Sequence, residues 1–119
     1  MTREFVYIAQ FEKQREHLGL TEKDIEDIEI FLMTNPTAGS MIPGTGGVRK
    51  VRISLPNRGK RGGARVVYVD FAHFEKLYML TVYGKGVKEN LTQAEKSELK
   101  NLADILKSEN KKAGERKGR

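Results

Sequence analysis

Apolar and polar positions alternate along this chain in two distinct rhythms. Phe5-Val6-Tyr7-Ile8 is a short apolar run of β-forming residues and predicts the first strand. Phe11 to Leu18 is polar and weakly amphipathic, which predicts a short helix ending at Gly19. A clearer helix starts at Thr21, whose hydroxyl suits the amide of Asp24, while Glu22 and Asp24 suit the positive end of the helix dipole. Ile25, Ile28, Phe31 and Leu32 recur at helical spacing and form one stripe for burial. Asn35-Pro36 stops this helix, because the residue before a proline disfavours helical backbone. The two helices predict an αα-hairpin with its turn near Gly19-Leu20.

The rhythm then changes to a period of two. Residues 37–47 read as a loop, followed by a strand from Val48 to Ser54. Val51 and Ile53 point to one face of that strand, and Lys50 and Arg52 to the other. Such alternation predicts a sheet with one face on a core and the other face working. Leu55 to Gly63 is a basic loop punctuated by Pro56, Gly59 and Gly62-Gly63. Strands at about 64–71 and 74–83, joined by a turn near Ala72-His73, complete a predicted antiparallel meander. A second basic loop, Gly84 to Asn90, leads to Thr92-Gln93-Ala94-Glu95, a capping box that opens the last helix. Leu99, Leu102, Ile105 and Leu106 supply its stripe. From Asn110 the chain is mostly Lys, Arg, Gly and Glu, and a disordered basic tail is expected over 110–119. The element order is β-α-α-β-β-β-α, an α+β fold in a single domain over residues 1–109.

Composition narrows the function classes. With 119 residues the chain supports one core, and its net charge of +6 makes nucleic acid the leading partner class. The charge is segregated, acidic over 1–34 and basic in the middle and the tail, as a binding face requires. With Cys 0 there is no disulfide framework and no Cys-ligated zinc site. No apolar run approaches the roughly 18–20 residues of a membrane span, and Met1-Thr2-Arg3-Glu4 starts no signal peptide. A cytoplasmic protein is expected. The basic strip from Gly44 to Arg65 carries Arg49, Lys50, Arg52, Arg58, Lys60, Arg61 and Arg65 without one acid, a pattern suited to a polyanion backbone.

Three motifs bring a family into view. Gly44-Thr45-Gly46-Gly47-Val48-Arg49-Lys50, then Lys60-Arg61-Gly62-Gly63-Ala64-Arg65-Val66-Val67-Tyr68, then Leu80-Thr81-Val82-Tyr83-Gly84-Lys85 stand in order along the chain. Together they resemble RelE/HigB-type toxins of bacterial type II toxin–antitoxin systems, most closely the HigB-like subgroup, over about residues 4–108. The resemblance implies a twisted antiparallel sheet packed on helices and ribosome-dependent cleavage of messenger RNA at the A site. It also implies a cognate antitoxin, often with a helix-turn-helix domain, which neutralises the toxin and carries it to operator DNA. Neither a metal nor another cofactor is implied.

RNA cleavage by 2′-hydroxyl attack needs a base, charge stabilisation on the phosphorane and a proton for the leaving 5′-oxygen. His17 and His73 lie apart in the predicted elements, which argues against a histidine pair. The resemblance points to basic residues instead: Lys50 and Arg52 on the first meander strand, Arg65 ahead of Tyr68, and Lys85 after the last strand. Lys50, crowded by cations, is a conceivable base because a like charge disfavours its protonated form. Arg52 and Arg65, always charged, suit phosphate clamping. Arg49, Arg58, Lys60, Arg61, Lys88 and Tyr83 are expected to contact RNA. Some relatives carry a tyrosine after the second basic loop, where this chain reads Asn90-Leu91-Thr92, and Tyr83 is the nearest substitute. Two alternatives stay open: a non-catalytic nucleic-acid-binding module, and a degenerate toxin that only binds its antitoxin.

Overall fold

The computed structural model describes residues 2–55, 63–84 and 90–117, the last three by backbone alone. Its elements are β1 (Glu4–Tyr7), α1 (Ala9–Leu18), α2 (Glu22–Thr34), β2 (Ser40–Met41), β3 (Arg49–Ser54), β4 (Gly63–Phe71), β5 (Lys76–Gly84) and α3 (Gln93–Lys117). The capping residues set the helix starts. Thr21 Oγ1 accepts from the Asp24 amide at 3.1 Å and the Asp24 carboxylate accepts from the Thr21 amide at 2.9 Å, a reciprocal cap for α2. Thr92 and Glu95 repeat it before α3, with Glu95 N donating to Thr92 Oγ1 at 3.1 Å and Thr92 N donating to the Glu95 carboxylate at 2.8 Å. Gly19 closes α1 in the left-handed conformation at φ 67°.

The strands form one sheet in the order β1-β5-β4-β3-β2. β3, β4 and β5 are the antiparallel meander that the alternation predicts. β1 lies parallel to β5, so the sheet is mixed rather than wholly antiparallel. A parallel neighbour needs a long crossover, and here the α1–α2 pair and β2 to β4 lie between β1 and β5 in the chain.

The sheet is covered on both faces, which corrects the expectation of one core face and one working face. On one side Phe11 of α1 and Ile25, Ile28 and Leu32 of α2 pack on Ile53, Val66, Tyr68, Leu77, Met79 and Val82. On the other, Ala103 and Leu106 of α3 pack on Val67, Val69, Tyr78 and Leu80. The reason is visible in β4 and β5, whose near-continuous apolar runs belong to strands buried twice over. Only the β3 end of the second face keeps the alternation that leaves cations outward.

A bulge shapes that second face. Val67 pairs with Thr81 and Tyr68 with Met79, so Leu80 is the extra residue. Leu80 packs in the α3-side core, and Thr81 beside it lines the same space against Leu99 and Leu102.

Two features depart from the sequence reading. Residues 37–47 contain β2, which pairs with β3 through Ser40–Lys50 and Met41–Arg49. Gly39 permits this, since a Cβ there would lie 2.3 Å from the Lys50 carbonyl oxygen. Tyr68 Oη fixes the same loop, donating to Pro36 O at 2.9 Å and accepting from Gly39 N at 3.3 Å. The other departure is at Asn110, where a tail was expected. α3 runs on to Lys117, and Asn110 is buried, its amide donating to Tyr78 Oη and Leu106 O at 2.8 Å each. A polar anchor took the place of the apolar one that pattern reading seeks. Among the described residues no helix is long and apolar enough to cross a membrane.

Candidate functional site

β3 and β4 build the site through their register. Arg52 stands opposite Arg65, and Arg65 opposite Tyr83, giving one row across three strands. The adjacent row on the same face is Ser40, Lys50, Val67 and Thr81. Directly opposed residues have Cβ atoms about 4.5–5.5 Å apart, and like charges so placed repel. Two guanidiniums facing each other across β3 and β4 therefore favour an anion between them, because it relieves that repulsion and accepts from both forks.

The space above these rows is a cleft of about 260 Å³ lined by Ser40, Lys50, Val51, Arg52, Arg65 and Asn90. None of these lining residues is a carboxylate. Three of the six described lining residues are cationic, and the hydroxyl of Ser40 and the amide of Asn90 add neutral hydrogen-bonding groups at the edge. A phosphodiester matches this arrangement: two arginine forks for its oxygens, an ammonium beside them, and neutral groups for a ribose or base.

The expected residues divide into three sets. Lys50, Arg52 and Arg65 are brought together at the cleft. Arg49 is on the opposite face, where its guanidinium donates to Thr37 O at 3.2 Å and Gly39 O at 2.7 Å and braces the loop before β2. Tyr83 neighbours Arg65 in register but lines a second groove, beneath α3. Lys85, Lys88, Arg58, Lys60 and Arg61 lie outside the described residues.

Both histidines stand away from the cleft. His73 is in the short turn after Phe71, at the far end of β4 from Arg65 and about 20 Å along the strand at 3.3 Å per residue. His17 is in α1, whose Phe11 packs on the other face of the sheet.

Ser40 and Asn90 are the polar lining residues that sequence reasoning missed, and Val51 is an apolar one. Asn90 could have been found from its place between a basic loop and a helix cap, a position that recurs at ligand-facing strand ends. Ser40 carries no such signal, because its place depends on the non-local approach of Gly39 to β3. A protein-family model, the RelE toxin of the RelE / RelB toxin-antitoxin system, matches residues 21–116, most of the chain.

Proposed function

The chain belongs to the RelE toxin family, and from that premise we propose that it is a ribosome-dependent endoribonuclease that cuts messenger RNA in the A site. The observation that carries this reading is the Arg52–Arg65 pair, opposed across β3 and β4 with Lys50 beside it in a cleft that has no carboxylate among its described lining residues. In the proposed reaction the 2′-oxygen attacks the adjacent phosphorus. The O2′–P bond forms and the P–O5′ bond breaks, leaving a 2′,3′-cyclic phosphate and a 5′-hydroxyl. One proton leaves the 2′-hydroxyl and one reaches the 5′-oxygen.

Arg52 and Arg65 hold the non-bridging oxygens and stabilise the extra charge of the phosphorane. Lys50 is the nearest proton carrier in the cleft, and Lys85 is proposed to join it from the second basic loop. Arg58, Lys60, Arg61 and Lys88 are proposed to contact the RNA backbone or the ribosome, with Tyr83 beside Arg65. No cofactor is called for.

The family implies an antitoxin partner. We propose that this antitoxin carries a helix-turn-helix domain, that operator DNA is reached only through it, that the toxin works in the cytoplasm, and that its nearest kin are the HigB-like members.

Arg65→Ala supplies the test. Loss of one charge-stabilising group lowers cleavage by roughly ten- to a thousand-fold, read by primer extension in a translation reaction. Unchanged cleavage by a folded Arg65→Ala protein rejects the assignment.

A further inference from the structure

α3 sorts its charges by side. Ala103, Leu106 and Asn110 turn toward the sheet and are buried. Lys96, Lys100 and Lys107 follow one another at steps of four and seven residues, so they share one flank of the helix. Glu98, Ile105 and Glu109 recur at steps of seven and four on the other flank. A helix face that is merely solvated sets opposite charges four apart. Here Lys96 and Lys100 are like charges at that spacing, which repel. Asp104 stands in the same row and pairs with Lys100 Nζ at 2.8 Å, while Lys96 and Lys107 have no ion pair among the described residues. The row thus keeps more cations than acids.

The lysine flank faces the side of the molecule that holds the cleft. A Cβ on Gly46 would lie 3.9 Å from Asp104 Oδ1, so the loop between β2 and β3 runs beside this row. That loop, Ile42 to Val48, has no charged residue. It leads back through β2 to Ser40 and forward through β3 to Lys50, both in the cleft lining. α3 itself begins just after Asn90, which lines the same cleft. Segments 56–62 and 85–89, outside the described residues, carry Arg58, Lys60, Arg61, Lys85 and Lys88 against Glu89 alone, so their composition adds no net negative charge.

We propose that single-stranded RNA leaves the cleft along this row, with its phosphates on Lys96, Lys100 and Lys107 in turn. The track rests on the RNA reading of the cleft and adds to it a backbone contact that reads no sequence. It spans roughly 16 Å at 1.5 Å per helical residue. An acidic protein segment would meet the same charges, but continuity with the arginine cleft favours RNA.

The probe is a labelled 2′-O-methyl oligouridylate of about eight nucleotides, which has no 2′-hydroxyl to attack its phosphates. Its anisotropy is followed against full-length protein over a salt series. Lys96→Gln, Lys100→Gln and Lys107→Gln combined lower the slope of log affinity against log salt by about 2, since each phosphate contact of a single strand contributes about 0.7. Asp104→Asn raises affinity about twofold, because it removes an anion and frees Lys100. Lys23→Gln removes the same charge from α2, on the other face of the sheet, and leaves the slope unchanged. Arg65→Ala in the same titration separates the two readings. An unchanged slope in the triple variant, while Arg65→Ala still weakens binding, overturns the track alone. Undiminished binding by Arg65→Ala overturns the cleft reading and with it the route from cleft to row. An equal loss from Lys23→Gln, or oligoglutamate bound as tightly as the RNA, also overturns the proposal.

Discussion

Replacing Tyr68 by Phe removes one oxygen from the centre of the structure and leaves the ring where it packs. Tyr68 is 0% exposed, and its hydroxyl joins β4 to the loop before β2 by donating to Pro36 O at 2.9 Å and accepting from Gly39 N at 3.3 Å. Loss of the oxygen leaves both backbone groups without that partner. Each such loss costs about 1–3 kcal/mol, and the longer Gly39 bond belongs at the low end, so the variant is destabilised by about 2 kcal/mol. For a domain of this size that lowers the melting temperature by about 8 °C. The assay is urea denaturation followed by circular dichroism, with amide exchange as a local readout. Exchange at Gly39 and Ser40 accelerates more than exchange in β4 and β5, because the bond holds the loop rather than the meander. Ser40 lines the cleft, so the proposed RNA cleavage falls as well. A change in stability under about 0.5 kcal/mol, or uniform acceleration of exchange, refutes the claim that this hydroxyl anchors the loop.

Gly39→Ala places a Cβ 2.3 Å from the Lys50 carbonyl oxygen, which only separation of β2 from β3 relieves, and a loss of about 2 kcal/mol is expected in the same denaturation assay. Asn110→Ala removes the amide shared by Tyr78 Oη and Leu106 O, and it costs about 1 kcal/mol while raising amide exchange after Leu106 more than before it. Alkaline pH acts through two tyrosines. Burial is the main cause that raises Tyr7, with a hydrogen bond to Glu29 adding to it, and burial raises Tyr68 above the ordinary 10.0. The folded state therefore disfavours their ionisation, so their contribution is complete below pH 10 and declines as pH rises past it. Tyr7→Phe and Tyr68→Phe each flatten that decline in a pH series of urea midpoints.

The elements that were legible in the sequence are those set by local chemistry. Thr21 with Asp24 and Thr92 with Glu95 mark two helix starts because a cap needs only residues three apart. The β3 alternation placed Lys50 and Arg52 on one face because strand period is geometric, and it led directly to two of the six residues that line the cleft. What was not legible depends on distant partners. β2 exists because Gly39 lets the chain approach β3 and because Tyr68 and Arg49 hold the loop, contacts that span ten residues or more in the chain. Arg49 looked like part of the basic strip, yet the same period of two that unites Lys50 and Arg52 sends it to the other face. The second covered face was written in the unbroken apolar runs of β4 and β5, but only the partner helix reveals which side α3 takes. Helix beyond Asn110 escaped because the anchor there is an amide rather than an apolar side chain.

The central claim is that the opposed pair of arginines on β3 and β4 stabilises charge on a scissile phosphate. Its most direct test is primer extension on a defined messenger in a purified translation system, comparing the native chain with folded Arg65→Ala and Arg52→Ala proteins. The account predicts cuts that need ribosomes and fall by roughly ten- to a thousand-fold in either variant. Undiminished cuts in both variants, or no cuts by the native chain while it still binds RNA, contradict it.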